Sequence, residues 1–253
     1  MSIQRINSGK GHWYKIDGKK ADGVTTILSN GVPKPALINW AANTTAEYAV
    51  DNWQDLTELK PSERLDRMKK ARWQSLDIAG KRGTEVHDIA ERLAHDEEVE
   101  VPDAIAGHVE SALKFFDEWN PRTILTETVV GHRTEYLCGT FDYLMELPDG
   151  TRWLVDWKTN RSGIFGETAL QLSAYMNMTH YLDPEGVERE MPDLQIDGCM
   201  AVWIRADGYD AYRIENTDEC WKLFRHIAYC ARRFGGLRDH ISESLPIPTE
   251  VAS

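Results

Sequence analysis

Up to about residue 120 the chain mostly spaces its apolar positions three and four apart; from 121 to 158 it mostly alternates them. The first pattern predicts helices and the second predicts strands. An exception opens the chain. "HWYKIDGKKADGVTTIL" reads as a hairpin: an alternating strand, a DG turn, then residues 24–28 as the returning strand. Pro33 and Pro35 then introduce a helix, "ALINWAANTTAEYAVDNW". A second, "SERLDRMKKARWQSL", starts behind Pro61 and Ser62 with Glu63 in its first turn. A third, "GTEVHDIAERLAH", gathers Val86, Ile89, Ala90 and Leu93 on one stripe. The fourth, "DAIAGHVESALKFFDEW", should stop at Asn120-Pro121, because a residue before proline avoids helical geometry.

Beyond it, "RTILTETVVGH", "TEYLCGTFDYLMEL" and "RWLVDWK" are strand-like, with "PDG" at 148–150 as a hairpin turn. "GETALQLSAYMNMTHYL" returns to helical spacing, and "GCMAVWIRADGYDAYRIEN" reads as another hairpin. "TDECWKLFRHIAYCARRF" is a closing amphipathic helix that ends at Gly235-Gly236. The tail "LPIPTEVAS" is expected to fray. No repeat, low-complexity segment or linker interrupts this order. The expectation is one α/β domain over residues 1–253: a mainly helical part (1–120), a central mixed β-sheet with flanking helices (121–238), and a tail (239–253).

Composition narrows the setting. Of 253 residues, 42% are hydrophobic and nine are Trp, enough for a substantial core. No apolar run nears the roughly 20 residues that span a bilayer, and the N-terminus lacks the apolar stretch of a secretory signal. A soluble, cytoplasmic protein without a membrane partner is the expectation. The four cysteines, Cys138, Cys199, Cys220 and Cys230, contain no CxxC pair, which points to free thiols rather than zinc or an iron–sulfur cluster. Taken alone, the net charge of −12 argues against a nucleic-acid partner, since nonspecific DNA affinity comes from cations meeting phosphates. Screening makes local patches matter more than the total. Two stretches are locally basic: 60–82, with Lys69, Lys70, Arg72, Lys81 and Arg82, and 225–238, with Arg232 and Arg233. Charge leaves the partner open.

The strand "RWLVDWK" changes that. Alternation puts Leu154, Asp156 and Lys158 on one face and Trp153, Val155 and Trp157 on the other. If the tryptophans enter a core, Asp156 and Lys158 line a cleft at a sheet edge. Antiparallel pairing about the PDG turn brings Asp142 to the same end of the hairpin. Two close carboxylates repel unless one takes a proton or a cation bridges them. A hard divalent cation, Mg²⁺ or Mn²⁺, answers that need, with the main-chain carbonyl of Trp157 as a further ligand. Lys158 is then left to meet an anion or an attacking water, which suggests phosphodiester hydrolysis. The same repulsion predicts that Asp156→Ala stabilises the metal-free fold.

Asp142, followed after a turn by Asp156-Trp157-Lys158, resembles the motif of PD-(D/E)XK nucleases. "RGTEVH" with His87, "GTFD", "DWKT" with Thr159, and "QLSAY" with Gln171 and Tyr175 are similar, in that order, to the RecB branch. That branch includes RecB and AddB nuclease domains, Cas4 nucleases, the mitochondrial genome maintenance exonuclease and small phage exonucleases. "GVTTIL" near the start is also similar, so the resemblance runs from about Val24 to about Phe234. It implies a PD-(D/E)XK nuclease-like core with His87, Asp142, Asp156 and the Trp157 carbonyl on the metal. It implies that Lys158 positions or polarises water, and that Gln171 and Tyr175, one turn apart, reach the scissile phosphate or support Lys158. Glu91, a turn beyond His87, would orient its ring. Lys69, Lys70, Arg72, Arg82 and Thr159 are candidate DNA contacts, and Trp73 and Tyr48 candidate stacking partners. Glu127 reads better as a strand-surface residue than as a member of the site.

The branch's iron–sulfur members carry a cysteine pattern that this chain lacks, and no P-loop is present, so neither a cluster nor ATP is expected. The leading expectation is a metal-dependent DNA exonuclease working on single strands or resected ends in recombination, repair or replication. A single-strand annealing or recombination protein as partner, and a phage or prophage origin, are what small stand-alone members suggest. Alternatives are a catalytically silent DNA-binding or recruiting module, an endonuclease of the same fold, and a hydrolase of smaller phosphodiesters.

Overall fold

The computed structural model describes residues 2–9, 11–94 and 99–245, without the side chains at 74–79, 82, 90, 91, 93 and 94. Three strands come before any helix: β1 (Ile3–Ser8), β2 (Gly11–Ile16) and β3 (Lys19–Gly23), an antiparallel meander. β2 and β3 turn through Asp17 and Gly18, both at positive φ, which suits the DG pair. The returning strand is therefore 19–23 and not 24–28. Val24–Gly31 forms helix α1 instead. Its Val24, Ile27 and Leu28 are all buried, and burial of one helical face outweighs the strand preference of Val and Ile.

Helices α2 (Pro35–Asp51) and α3 (Trp53–Thr57) follow, then α4 (Pro61–Ala94), 34 residues long. The two helices predicted at 62–76 and 83–95 are thus a single one. Gly80 and Gly83 fall inside it, but glycine costs a helix interior only ~1 kcal/mol and no proline intervenes. Helix α5 (Ala106–Trp119) ends at Asn120, whose left-handed backbone (φ 41°) lets its N–H bond the Phe116 carbonyl just ahead of Pro121.

The second half supplies β4 (Arg122–His132), β5 (Leu137–Glu146), β6 (Arg152–Lys158), α6 (Glu167–Met176), β7 (His180–Leu182) and β8 (Glu188–Glu190). Strands β9 (Gly198–Arg205) and β10 (Gly208–Ile214) and helix α7 (Thr217–Phe234) complete it. The helix predicted over 166–182 stops at Met176, and its last three residues become β7.

The strands join in the order β1-β2-β3-β5-β4-β7-β8, with β6 on β5, β9 on β6 and β10 on β9. The β3–β5 and β6–β9 pairs are parallel, and the others are antiparallel. The protein is therefore α/β, a mixed sheet flanked by helices. On one face Leu144, Leu154, Cys199 and Ala201 pack against Ile27 of α1, Leu172 and Tyr175 of α6, and Phe224 of α7. On the other, Tyr143, Val155, Trp157 and Val202 pack against Val86 and Ile89 of α4 and Val109 and Phe115 of α5. Trp157 and Leu154 thus enter opposite cores, as the alternation predicts. Strand β6 is interior, between β5 and β9, and not at an edge. No described helix is long and apolar enough to cross a membrane.

Candidate active site

Strand β5 is paired with β4 along one side, but its other side has two partners. Leu137 and Cys138 pair with β3, and Tyr143–Glu146 pair with β6. Between them lie Gly139, Thr140, Phe141 and Asp142, where neither strand is paired with β5. The sheet forks here: β3 leaves into α1, and the end of β6 runs on beside β9 alone. Continuing the Tyr143–Val155 register by one step sets Asp142 opposite Asp156. Instead of a ladder bond, the Asp142 carboxylate Oδ2 accepts the Trp157 N–H at 3.0 Å. An extended residue turns its N–H and C=O to the same side, so the Trp157 carbonyl faces this gap too.

The pleat also slips at this level. Phe141 and Leu144 share one core although three residues apart, and so do Leu125 and Val130, five apart. Strict alternation would separate each pair. Both strands shift together, so their register is the same on either side, from Leu125–Leu144 to Thr128–Phe141. The residue at the slip in β4 is Glu127, held at φ 42°. A left-handed backbone costs a non-glycine residue about 1–2 kcal/mol. What it achieves is visible in the side chain, which joins Asp142.

His87, Glu127 and Asp142 each offer a ligand atom within 4.8 Å of the other two. His87 Nδ1 stands 3.9 Å from Asp142 Oδ2, and its ring meets the Trp157 indole edge to face at 5.6 Å. One imidazole and two carboxylates suit a divalent cation, so the donor set fits Mg²⁺ or Mn²⁺. Burial pushes the Asp142 carboxyl up to about 6; Lys158 and the Trp157 N–H oppose that rise, and Glu127 adds to it. A cation would remove the same penalty.

Asp156, Lys158 and Gln171 form a second group across the fork. Asp156 is 2% exposed, and its Oδ2 lies 2.6 Å from the Lys158 ammonium. Its Oδ1 accepts from Gln171 Nε2 at 2.9 Å, while Gln171 Oε1 faces Lys158 Nζ at 3.4 Å. Burial raises Asp156 to about 6; Lys158 works against this and the Asp142 charge reinforces it. Burial alone would lower the Lys158 pKa, but Asp156 and Asp142 outweigh it and hold the ammonium above its ordinary value. Lys158 is thus a charged group in the metal-free protein, placed to serve as a cation.

Tyr175 has another part. It is 2% exposed, with its hydroxyl on Gln171, and burial puts its pKa well above the ordinary tyrosine value. A Cβ on Gly139 would come within 2.3 Å of the Tyr175 ring. The glycine of "GTFD" and the tyrosine of "QLSAY" are therefore a packing pair, and Tyr175 props Gln171 from beneath. Gly83 and Thr159 make a similar close approach, 3.1 Å from a Cβ on Gly83 to Thr159 Oγ1, which seats α4 over the end of β6.

The remaining candidates lie farther out. Lys69, Lys70 and Arg72 are exposed on α4; Lys70 pairs with Asp66 at 3.1 Å, and Arg72 covers the Trp73 ring at 4.9 Å. Arg82 and Glu91 fall outside the described side chains. Glu127 is the residue that sequence reasoning set aside. The only signal for it is its place opposite Asp142, which needs the β4–β5 register.

No family profile matches the chain, and no curated protein matches it. Among solved structures, an alkaline exonuclease, LHK-Exo from Laribacter hongkongensis, is 14% identical, covering 64% of this chain and 81% of its own, with a TM-score of 0.36. The structure of SSO0001 is likewise 14% identical, covering 61% and 70%, with a TM-score of 0.28. At this level of superposition neither carries the reading of the site; its own geometry does.

Proposed function

We propose that the chain is a divalent-metal-dependent nuclease hydrolysing DNA phosphodiester bonds from free ends, of the PD-(D/E)XK type and its RecB-like branch. One observation carries the reading. A His–Glu–Asp donor group and an Asp–Lys–Gln group around the buried Asp156 meet at one fork in the sheet, with Asp142 close enough to raise the proton affinity of Asp156.

In this reading His87, Glu127 and Asp142 hold Mg²⁺ or Mn²⁺, with Asp156 and the Trp157 carbonyl on the same gap. The bound metal would lower the pKa of water and polarise a phosphoryl oxygen. Asp156 fixes the Lys158 ammonium, and Gln171 fixes Asp156 through its amide. Lys158 Nζ then donates to the negative charge that develops on the phosphate or orients the attacking water. Its raised pKa favours that role over general base. Tyr175 acts through Gln171 and is a positioning residue.

The test is a gel assay on end-labelled single- and double-stranded linear DNA beside a closed circle, with Mg²⁺, Mn²⁺ or EDTA. Metal-dependent shortening of linear DNA, absent on the circle and in Asp156→Ala, is the expected result, and the label gives polarity. Cutting of the circle would make it an endonuclease. No cleavage of any DNA would leave a nuclease-like binding module.

A further inference from the structure

Helix α4 carries more than His87. At ~100° per residue, Gly83, Gly80, Trp73 and Lys69 lie within about 40° of His87 around the axis, and Arg72 about 60° away. Along the axis, at ~1.5 Å per residue, Trp73 stands about 21 Å and Lys69 about 27 Å from His87. One face of a single helix therefore runs from the metal-ligand group to an exposed aromatic and two cations. Gly80 adds no side chain to that face, and a Cβ there would meet nothing within 4 Å; Gly83 lets the helix settle on Thr159 at the end of β6. Trp73 is 55% exposed with the Arg72 guanidinium over its ring at 4.9 Å. Trp73 belongs to none of the described core clusters.

We propose that this face of α4 is a binding track for single-stranded DNA, with a nucleobase stacked on Trp73 and phosphates met by Lys69 and Arg72. The inference rests on the nuclease reading and names the substrate form that site would take. Three features favour a nucleic-acid strand over a protein. The cations stand out on a chain of net charge −12, and the aromatic offers a π-face, which every base can use. Trp73 and Lys69 also lie on the same face of α4 as His87 of the donor group. The neighbouring Asp66 faces Lys70 at 3.1 Å, which offsets part of its charge. A strand over this length covers about four to eight nucleotides, between a stacked rise of ~3.4 Å and roughly twice that when extended.

The experiment measures binding of fluorescent oligothymidylates of 2 to 16 nucleotides in EDTA, alongside the cleavage assay in Mg²⁺. For the wild type, affinity should climb steeply with length up to about eight nucleotides and then level. Trp73→Ala should cut the affinity for longer strands by about 5- to 100-fold and flatten that climb, with Trp73→Phe recovering most of it. Lys69→Glu should weaken binding and lower its salt dependence. Trp53→Ala, an equally exposed tryptophan on α3, should keep the climb. Thermal melts confirm that the variants are folded. A wild type that cleaves while Trp73→Ala and Lys69→Glu keep its length dependence overturns the track and leaves the nuclease reading standing. A wild type that neither binds nor cleaves overturns both.

Discussion

Lys158 and Asp156 divide one task between charge and position. The ammonium sits 2.6 Å from a carboxylate that is itself held by Gln171, so its place is fixed before any substrate arrives. Lys158→Ala should abolish cleavage while leaving Mn²⁺ and DNA binding within a few-fold of the wild type. Single-turnover kinetics beside a binding titration check this, and normal cutting by the variant sinks the assigned role. Burial raises both carboxyls to about 6, but the structure gives Asp156 a partner that repulsion alone leaves out. Asp156 is buried and is the close partner of a partly buried ammonium, and removing one partner of such a pair is costly. Asp156→Ala should therefore lower the melting temperature in EDTA, reversing the direction that repulsion alone predicts. Among the described residues no lysine or arginine forms an ion pair with Asp142, and burial raises it to about 6 against the more distant charge of Lys158. Asp142→Asn should raise the metal-free melting temperature at pH 7.5 by a few degrees and have no such effect at pH 4.5, where the wild-type carboxyl is already protonated.

The elements hold the site through close approaches rather than through loops. Gly139 is the clearest, because a methyl group there collides with a buried ring and not with a flexible chain end. Gly139→Ala should destabilise the protein by about 1–3 kcal/mol in urea unfolding, and wild-type stability in that variant would show that α6 shifts freely. Glu127 is the opposite case, with a backbone strained at φ 42° to bring its carboxylate to Asp142. Glu127→Gly should relieve the strain and raise metal-free stability by up to ~1 kcal/mol, while Mn²⁺ affinity falls at least tenfold. Unchanged affinity would remove Glu127 from the metal group. Such strain explains why alternation could not find it: the pleat is read as regular, and it slips at this residue. In the same way "VTTIL" reads as a strand because Val and Ile prefer one, whereas packing of Val24, Ile27 and Leu28 beside Phe224 selects a helix.

At the scale of the whole molecule, the raised carboxyls couple metal, pH and folding. Asp142 and Asp156 titrate near 6 folded against 3.8 as isolated groups. Between these values the folded protein holds more protons than the unfolded one. Their contribution to metal-free stability is thus full below about pH 4 and is lost as pH rises through 6. A cation competes with the same protons. Calorimetry should show Mg²⁺ raising the melting temperature at pH 7.5 and losing that effect by about pH 5; an equal rise at both would mean the metal binds elsewhere. Much of this was legible in local sequence. Period-two alternation set the two faces of "RWLVDWK", and the PDG turn set its register against "GTFDYLMEL", which brings Asp142 opposite Asp156. Those are consequences of pleating and short loops, which need only neighbouring residues. The fork of β5 between β3 and β6, the interior place of β6, the approach of His87 on α4 and the turn of Glu127 toward Asp142 depend on segments far apart in the chain, as Asp22 and Leu137 are in the β3–β5 pair. Pairing over such separations is decided by which surfaces bury each other once the chain has closed, and no local pattern records it.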